Sequence, residues 1–461
     1  MKRLNIIAIM SATVLMSSCG LYNKYERPEV AADDIMRDAA QYANTTDTTS
    51  FGDVDWREVF TDPILQGHIQ QALDNNNDLL NAALNVKMAE AQLMSARLAF
   101  LPSFTFSPNG SLGKVFNMGA TDWSKTYSLP VNATWNADIF GNLVSQNRAK
   151  KVALIASQDA QQAVRIRITT SIANMYYTLL MLDRQLEILN DMEKLTKETW
   201  DMMRLQKELN SAKETSVLSA EASYLSTKAS IVDMKRQIHE TENSFSLLLG
   251  LPAQEIKRGK LYEQSLPSNF STGVPVQLLA NRPDIHSAEM QLAECFYGVE
   301  TARSRFYPSL SFSATGAFTN SIGSGVVNPG KFLLSFVGNL TQPLFQNGTL
   351  IAGLKVAKAQ YEQAYNSWEQ SILSAGSEVS NALILYNSSD EKGQLDRRRV
   401  DVLRKNVDHT RDLFKMGSST YLEVISAQSQ LLNAEITQVQ DDFNKMQAVV
   451  NLYGALGGGR K

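Results

Sequence analysis

Only two cysteines and four histidines occur in 461 residues. One cysteine, Cys19, lies at the end of an N-terminal targeting pattern, so Cys295 is the single thiol left for the rest of the chain. A lone thiol excludes an intramolecular disulfide framework and a cysteine-based zinc site. Cys295 reads as a small apolar helix residue. His68, His239, His286 and His409 stand far apart without metal-ligand spacing and read as solvated helix residues. No basic patch stands out at a net charge of -3, so nucleic acid is not an expected partner. Past the N-terminal segment no apolar run reaches the roughly 18 residues of a membrane-crossing helix, so any crossing must be made by strands. Glycine and proline are missing altogether from Asn142 to Leu249. Those two make up about 12% of average usage, so this gap reads as two helices with a tight reversal. Gly323-Ser324-Gly325 is a loop tip without the strand-to-helix turn of a nucleophile elbow. Gly457-Gly458-Gly459 opens no helix and is not a phosphate cradle. No catalytic constellation, metal site or cofactor site is expected.

What is present begins with a signal. Met1-Lys2-Arg3 is basic, and Leu4 to Met16 is mostly apolar and too short to span a bilayer. Leu15-Met16-Ser17-Ser18-Cys19-Gly20 then resembles a bacterial lipobox, with Met16 its least usual residue. Cleavage after residue 18 and acylation of Cys19 are expected; the alternative is an ordinary signal with an incidental cysteine. Removal of 1–18 takes two basic residues and moves the net charge to about -5.

The chain is also written twice. Asn75 to Phe106 lies on Asn281 to Phe312 without a gap, at a shift of about 206: Asn75 on Asn281, Asp78 on Asp284, Arg97 on Arg303, Pro102 on Pro308. The match resumes at about 207, with Gly141 on Gly348, Asn174 on Asn381 and Gly250 on Gly457. Such a period is far longer than the roughly 20–50 residues of a solenoid unit, so two copies of one large unit are fused. The organisation expected is a signal peptide at 1–18, a lipid anchor and N-terminal segment at 19–60, a first repeat at 61–250, a linker at 251–277, a second repeat at 278–457 and a tail at 458–461.

Each repeat reads as helix, hairpin, very long helix, helix. Ile168, Ile172, Met175, Leu179, Leu182, Leu186 and Leu189 keep heptad spacing, one narrow stripe for a partner helix. A helix over about 143–209 would be roughly 100 Å long, a rod packed sideways on other rods. Long helices are expected over about 143–249 and 348–452. In the last helix the seam reads Leu422, Ile425, Ser429, Leu432, Ile436, Val439, Phe443, Met446, Val450, a coiled-coil rhythm. Gly417 can supply the left-handed stop between the last two helices, with Ser419 or Thr420 as cap. Asn210 takes the place of Gly417 in the first copy and tolerates the same conformation.

Between helices the period changes to two. Odd positions from Tyr127 to Ile139 are apolar, and even positions from Thr126 are mostly Thr, Ser and Asn. Phe332, Leu334, Phe336 and Leu340 alternate with Ser335, Asn339 and Thr341 in the second copy, and Phe104, Phe106, Leu310 and Phe312 alternate with hydroxyls. Strands are expected at about 103–113, 125–139, 309–319 and 331–344, with tips at 114–124 and 320–331. This pattern fits a transmembrane β-barrel, or otherwise an amphipathic sheet over a soluble core. Four strands cannot close, and open edges in lipid cost several kcal/mol per unpaired group. Eight strands would be filled by side chains, whereas twelve leave a lumen suited to hydroxyl and amide groups, so a trimer is favoured. The fold class is mainly α with a membrane β-barrel: a trimeric 12-stranded barrel on a coiled-coil α-helical barrel.

Several motifs carry a resemblance. Cys19-Gly20-Leu21 through Tyr25-Glu26-Arg27-Pro28, Trp56-Arg57-Glu58-Val59-Phe60 with Asp62-Pro63-Ile64-Leu65, and Leu278 to Ile285 with Ala288-Glu289 stand in order. Phe306-Tyr307-Pro308, Pro343-Leu344-Phe345 with Gly348, and Leu452 to Gly459 complete the set. Together the chain resembles the TolC-like outer-membrane factors, in the lipidated class serving resistance-nodulation-division efflux pumps. The resemblance implies a homotrimer in outer-membrane lipid with a long periplasmic extension. It also implies a periplasmic adaptor (membrane fusion) protein and an inner-membrane pump as partners, and passive export of drugs or small molecules. A gate just past the glycine turn is implied too. Its first acidic position falls on Glu423 and its second on Ser426, and the basic link of some members falls on Ser419. Asn210 and Gly417 are the expected adaptor contacts. The other readings are a duct for a type I protein-secretion exporter and a structural coiled-coil envelope lipoprotein. Charges on the outward strand faces would have supported the latter, and they are absent.

Overall fold

The computed structural model describes residues 23–29, 51–117, 120–267, 282–322 and 325–459. The signal segment 1–18, Cys19, residues 30–50, and 268–281 of the expected linker and second-repeat start lie outside the described residues, as do Gly323 and Ser324. The main elements run α1 (Pro63–Asn75), α2 (Asn77–Leu98), β1 (Ser103–Phe106), β2 (Asn109–Asn117), β3 (Ala120–Ala137), α3 (Asn142–Glu208) and α4 (Glu214–Leu248). They continue with α5 (Pro283–Ser304), β4 (Ser309–Ile322), β5 (Gly325–Thr341), α6 (Thr349–Lys415) and α7 (Tyr421–Ala455).

The repeat is exact in helix length. α2 and α5 have 22 residues each, α3 and α6 have 67, and α4 and α7 have 35. Their ends are set by the same device. Asn210 (φ 57°) and Gly417 (φ 75°) are both left-handed. Ser211 N–H donates to Gln206 O at 2.8 Å, and Ser418 N–H to Leu413 O at 2.9 Å, the long bond that satisfies a helix's last carbonyls. Gly250 (φ 70°) and Gly457 (φ 77°) end α4 and α7 likewise.

The chain divides into two compact units. One gathers 23–29, 84–158 and 286–369 and contains the sheet. The sheet is antiparallel throughout, in the order β1/β2, β3, β4, β5. β1 and β2 pair with β3 in one continuous register, Phe106 opposite Val131 and Asn109 opposite Ser128. They are one strand interrupted at Ser107-Pro108, so each chain supplies four strands' worth of ladder. The segments expected as tips are largely paired instead: β2 reaches Asn117 opposite Ala120, and β4 reaches Ile322 opposite Gly325. Polar residues do not end an exposed strand, because the ladder is backbone. In this unit the segment 23–29 is strapped down: Arg27 Nε donates to Glu289 Oε1 at 2.8 Å, and Glu289 is buried.

The other unit comprises 51–83, 159–267, 282–285 and 370–459. Its core holds Trp56, Phe60, Tyr176, Tyr177, Phe245 and Tyr453, all fully buried. Ile168, Ile172, Leu179, Leu182 and Leu189 of the expected stripe are buried, but so are Tyr176, Tyr177, Leu180 and Met181. The stripe is therefore wide, not narrow, because the block 51–75 packs into the same core as the helices. In α7 the seam holds from Val439 onward. Before it, the buried face is Val424, Ala427, Gln428, Leu431 and Ala434, while Leu422 is 64% exposed. Two alanines and a glutamine share that contact with Val424 and Leu431, and hydrophobicity alone does not mark them.

Candidate functional site

The sheet sorts its side chains by face. The registers put odd positions of β3 with even positions of the other strands. Phe104, Phe106, Leu129, Val131, Phe336 and Leu340 thus share one face, and all are exposed at 45–74%. The opposite face carries hydroxyls and amides that bond across strands. Thr315 Oγ1 donates to Asn132 Oδ1 at 2.8 Å, and Asn132 Nδ2 to Ser107 Oγ at 3.3 Å. Leu333 and Val337 are apolar exceptions on this face. Trp135 lies near the helix-side end of β3, stacked on Phe312 at 5.7 Å with its indole N–H given to Phe100 O. Such a sheet has one apolar face, one polar face and, among the described residues, two unpaired edges, on β1/β2 and on β5.

The helix reversals lie in the other unit. Met203, Val217 and Ala220 from the first hairpin pack with Phe414 and Val424 from the second in one cluster. This brings the Asn210 and Gly417 ends together. Glu423 is at the first turn of α7 and is part of a capping box with Thr420. Its carboxylate accepts from Thr420 N–H at 2.8 Å and from the Ser419 hydroxyl. The Ser419 bond first, then the backbone bond, hold its pKa below the ordinary glutamate value. Ser419 and Glu423 are thus joined, while Ser426, one turn on, accepts from Gln430 Nε2 at 3.2 Å. Residues that sequence reading passed over complete the first reversal: Lys207 pairs with Glu214, and Trp200 stacks on Tyr224 at 5.5 Å under Arg204. No spacing rule flags an ion pair that closes only when the chain reverses.

The sequence motifs prove to be latches. Asp62 caps α1 at Ile64 N–H and accepts from Tyr176 OH at 2.6 Å and Gln264 at 2.9 Å. Burial would raise its pKa, but the bonds from Tyr176, Gln264 and the backbone win and lower it. Arg282 is buried, pairs with Asp284 and Glu378, and donates to Ala455 O at 3.1 Å. Its counterpart in the first copy, Asn76, donates to Leu248 O at 2.9 Å, the equivalent carbonyl. Gly458, just past the end of α7, packs against the Tyr453 ring, where a Cβ would sit 2.4 Å away. Among the described residues no three His, Cys, Asp or Glu side chains come together to hold a metal, and no helix is long and apolar enough to cross a membrane.

Residues 68–251 and 274–458 match the outer membrane efflux protein family, one span for each copy of the repeat. The chain belongs to the outer membrane efflux protein family. It is 27% identical to the probable outer membrane lipoprotein SilC of Salmonella typhimurium, covering all of this chain and 99% of that one. It is 28% identical to the cation efflux system protein CusC of Escherichia coli, with 96% of each chain covered. Among solved structures, the outer-membrane channel OprN superposes with a TM-score of 0.85 at 24% identity, covering 96% of this chain and all of the other. This outer membrane efflux protein therefore has the fold of a TolC-like channel subunit and is an outer-membrane component of an efflux system.

Proposed function

We propose that three copies of this outer membrane efflux protein close a twelve-stranded barrel and work as the passive duct of a tripartite pump. The observation that carries the reading is the sheet: an exposed apolar face, a hydroxyl-lined face and two unpaired edges in one chain. In lipid each unpaired backbone group costs several kcal/mol, so the edges must be met by identical neighbours. Solute would arrive from a periplasmic adaptor and an inner-membrane pump of the resistance-nodulation-division type. The helix reversals at Asn210 and Gly417 are the surfaces offered to the adaptor. Glu423, Ser419 and Ser426 form the gate. Glu423 stays ionised because its own helix start holds the carboxylate, and three such groups around an axis would draw cations to the constriction. Drugs or small molecules are the cargo, and the pump sets the choice among them. Cys19 carries the lipid anchor, within reach of the strap at 23–29.

Planar-bilayer recording on purified protein tests the duct. A small, cation-selective current is expected, with selectivity reduced in Glu423→Gln. Trimers that pass no current, as wild type and as a Glu423→Ala variant, would overturn the reading. For the anchor, Cys19→Ala should abolish incorporation of radiolabelled fatty acid; retained label would refute it.

A further inference from the structure

The two helical hairpins differ at one level of their seams. In the first copy Leu189 of α3 is buried and Met234 of α4 is partly buried. At a shift of 207 their counterparts are Asp396 of α6 and Asp441 of α7. Both aspartates are buried, at 8% and 2% exposure, although Leu395 beside the first is 65% exposed. The second hairpin thus turns carboxyls inward at a level where the first turns in apolar side chains.

The partners of this pair are incomplete. Lys392 Nζ donates to Asp441 Oδ1 at 2.8 Å, and Arg399 stands 3.7 Å from Asp396. Asp441 Oδ2 is buried and has no hydrogen-bond donor among the described residues. Asp396 lies against Asp441 across the α6–α7 seam. An ionised carboxylate can only accept, so with both groups charged that oxygen stays unmet and two like charges share a buried site. One proton on Asp396 removes the repulsion and supplies the missing donor, as an O–H···O⁻ bond.

We propose that Asp396 and Asp441 hold one proton between α6 and α7, and that its loss loosens the second hairpin at this level. The neighbouring charges are matched among themselves: Asp442 pairs with Arg397 at 3.5 Å, and Asp390 with Lys445 at 2.5 Å. Burial first, then Asp441, raise Asp396 above the ordinary aspartate value, against the pull of Arg399 and Lys392. Burial also raises Asp442, whereas the bond from Lys445 lowers Asp390. For Asp396 the folded value lies above the unfolded one. Its contribution is therefore complete below the ordinary value of about 3.9 and is lost as pH rises through the folded value. The hairpin that carries Glu423 is firmer in acid at this seam, whereas Leu189 and Met234 have no proton to lose.

The test is hydrogen exchange on full-length protein in detergent, from about pH 4 to about pH 8. Protection at residues 390–399 and 436–444, relative to intrinsic exchange at each pH, should fall as pH rises. The fall should reach about tenfold per pH unit between the ordinary aspartate value and the folded one. Residues 183–192 and 229–237 of the first hairpin should not follow it. Asp396→Asn gives Asp441 a permanent donor and cannot titrate, so its protection should stay at the acid level throughout. The double variant Asp396→Leu with Asp441→Met, which copies the first hairpin, should lose the pH dependence as well. In infrared difference spectra, acid wild type should show one protonated carboxyl more than Asp396→Asn, and the difference should fade as pH rises. Protection in wild type that does not change with pH overturns the proposal. So does a fall that persists in either variant, or the absence of the extra carboxyl band.

Discussion

At the first reversal Asn210 takes the left-handed position between Lys207 and Glu214, which form an ion pair, and Lys213 precedes α4 without a side-chain cap. At the second, Gly417 takes that position, Phe414 and Tyr421 replace the ion pair, and Thr420 opens α7 with a capping box. The ion pairs along the long helices differ in the same way. Asp183 in the first copy is gripped by Arg258 from the connecting segment, which also holds the buried Glu242. Its counterpart, Asp390, is met by Lys445 of α7 at a half-exposed site. One backbone is thus held by two sets of interactions. The lesson is that fold equivalence fixes where carbonyls and helix ends must be satisfied, and leaves open what satisfies them.

The largest contrast should appear at the Arg258 and Lys445 ion pairs. Arg258→Met leaves two carboxylates, one of them buried, without their cation and should cost about 3–5 kcal/mol. Lys445→Met should cost under about 1 kcal/mol. Denaturant unfolding in detergent checks both, and equal losses would erase the difference between the copies. Next come the left-handed turns. Gly417→Ala should cost about 1–2 kcal/mol, whereas Asn210→Gly should be neutral or slightly stabilising. Hydrogen exchange at residues 205–218 and 412–425 reads each turn separately. The caps should give a smaller effect. Thr420→Ala should lose about 1 kcal/mol from the start of α7, and Lys213→Thr should gain a comparable amount at the start of α4. Smallest is a pH effect confined to the second reversal. Glu423 has a lowered folded pKa, so its contribution is complete above the ordinary glutamate value of about 4.3 and is lost as pH falls through the folded value. The protection of amides at residues 420–425, relative to their intrinsic exchange at each pH, should fall on that descent, and Glu423→Gln should remove the pH dependence.

Much of this was legible in the sequence, because helix lengths and strand alternation are local properties. The unbroken Asn142–Leu249 stretch marks α3 and α4, and the left-handed turns follow from Asn210 and Gly417. The two faces of the sheet follow from residues such as Phe104 and Ser335. What escaped was long-range. Arg258 meets Asp183 from 75 positions further along the chain. Glu423 turned out to be bound to Ser419, the position where a basic link is absent, through a bond that composition does not announce. The early part of α7 hides its contact face behind alanines and Gln428, which carries a hydrogen bond to Thr199 instead of an apolar surface.

The matching helix lengths work as a ruler with two marks. An insertion in α3 alone would carry Asn210 out of step with Gly417 and split the cluster of Met203, Val217, Phe414 and Val424. Lengthening or shortening this protein's reach therefore requires concerted changes in α3, α4, α6 and α7, in whole helical turns. Single-helix indels should be selected against far more strongly than substitutions anywhere along those helices.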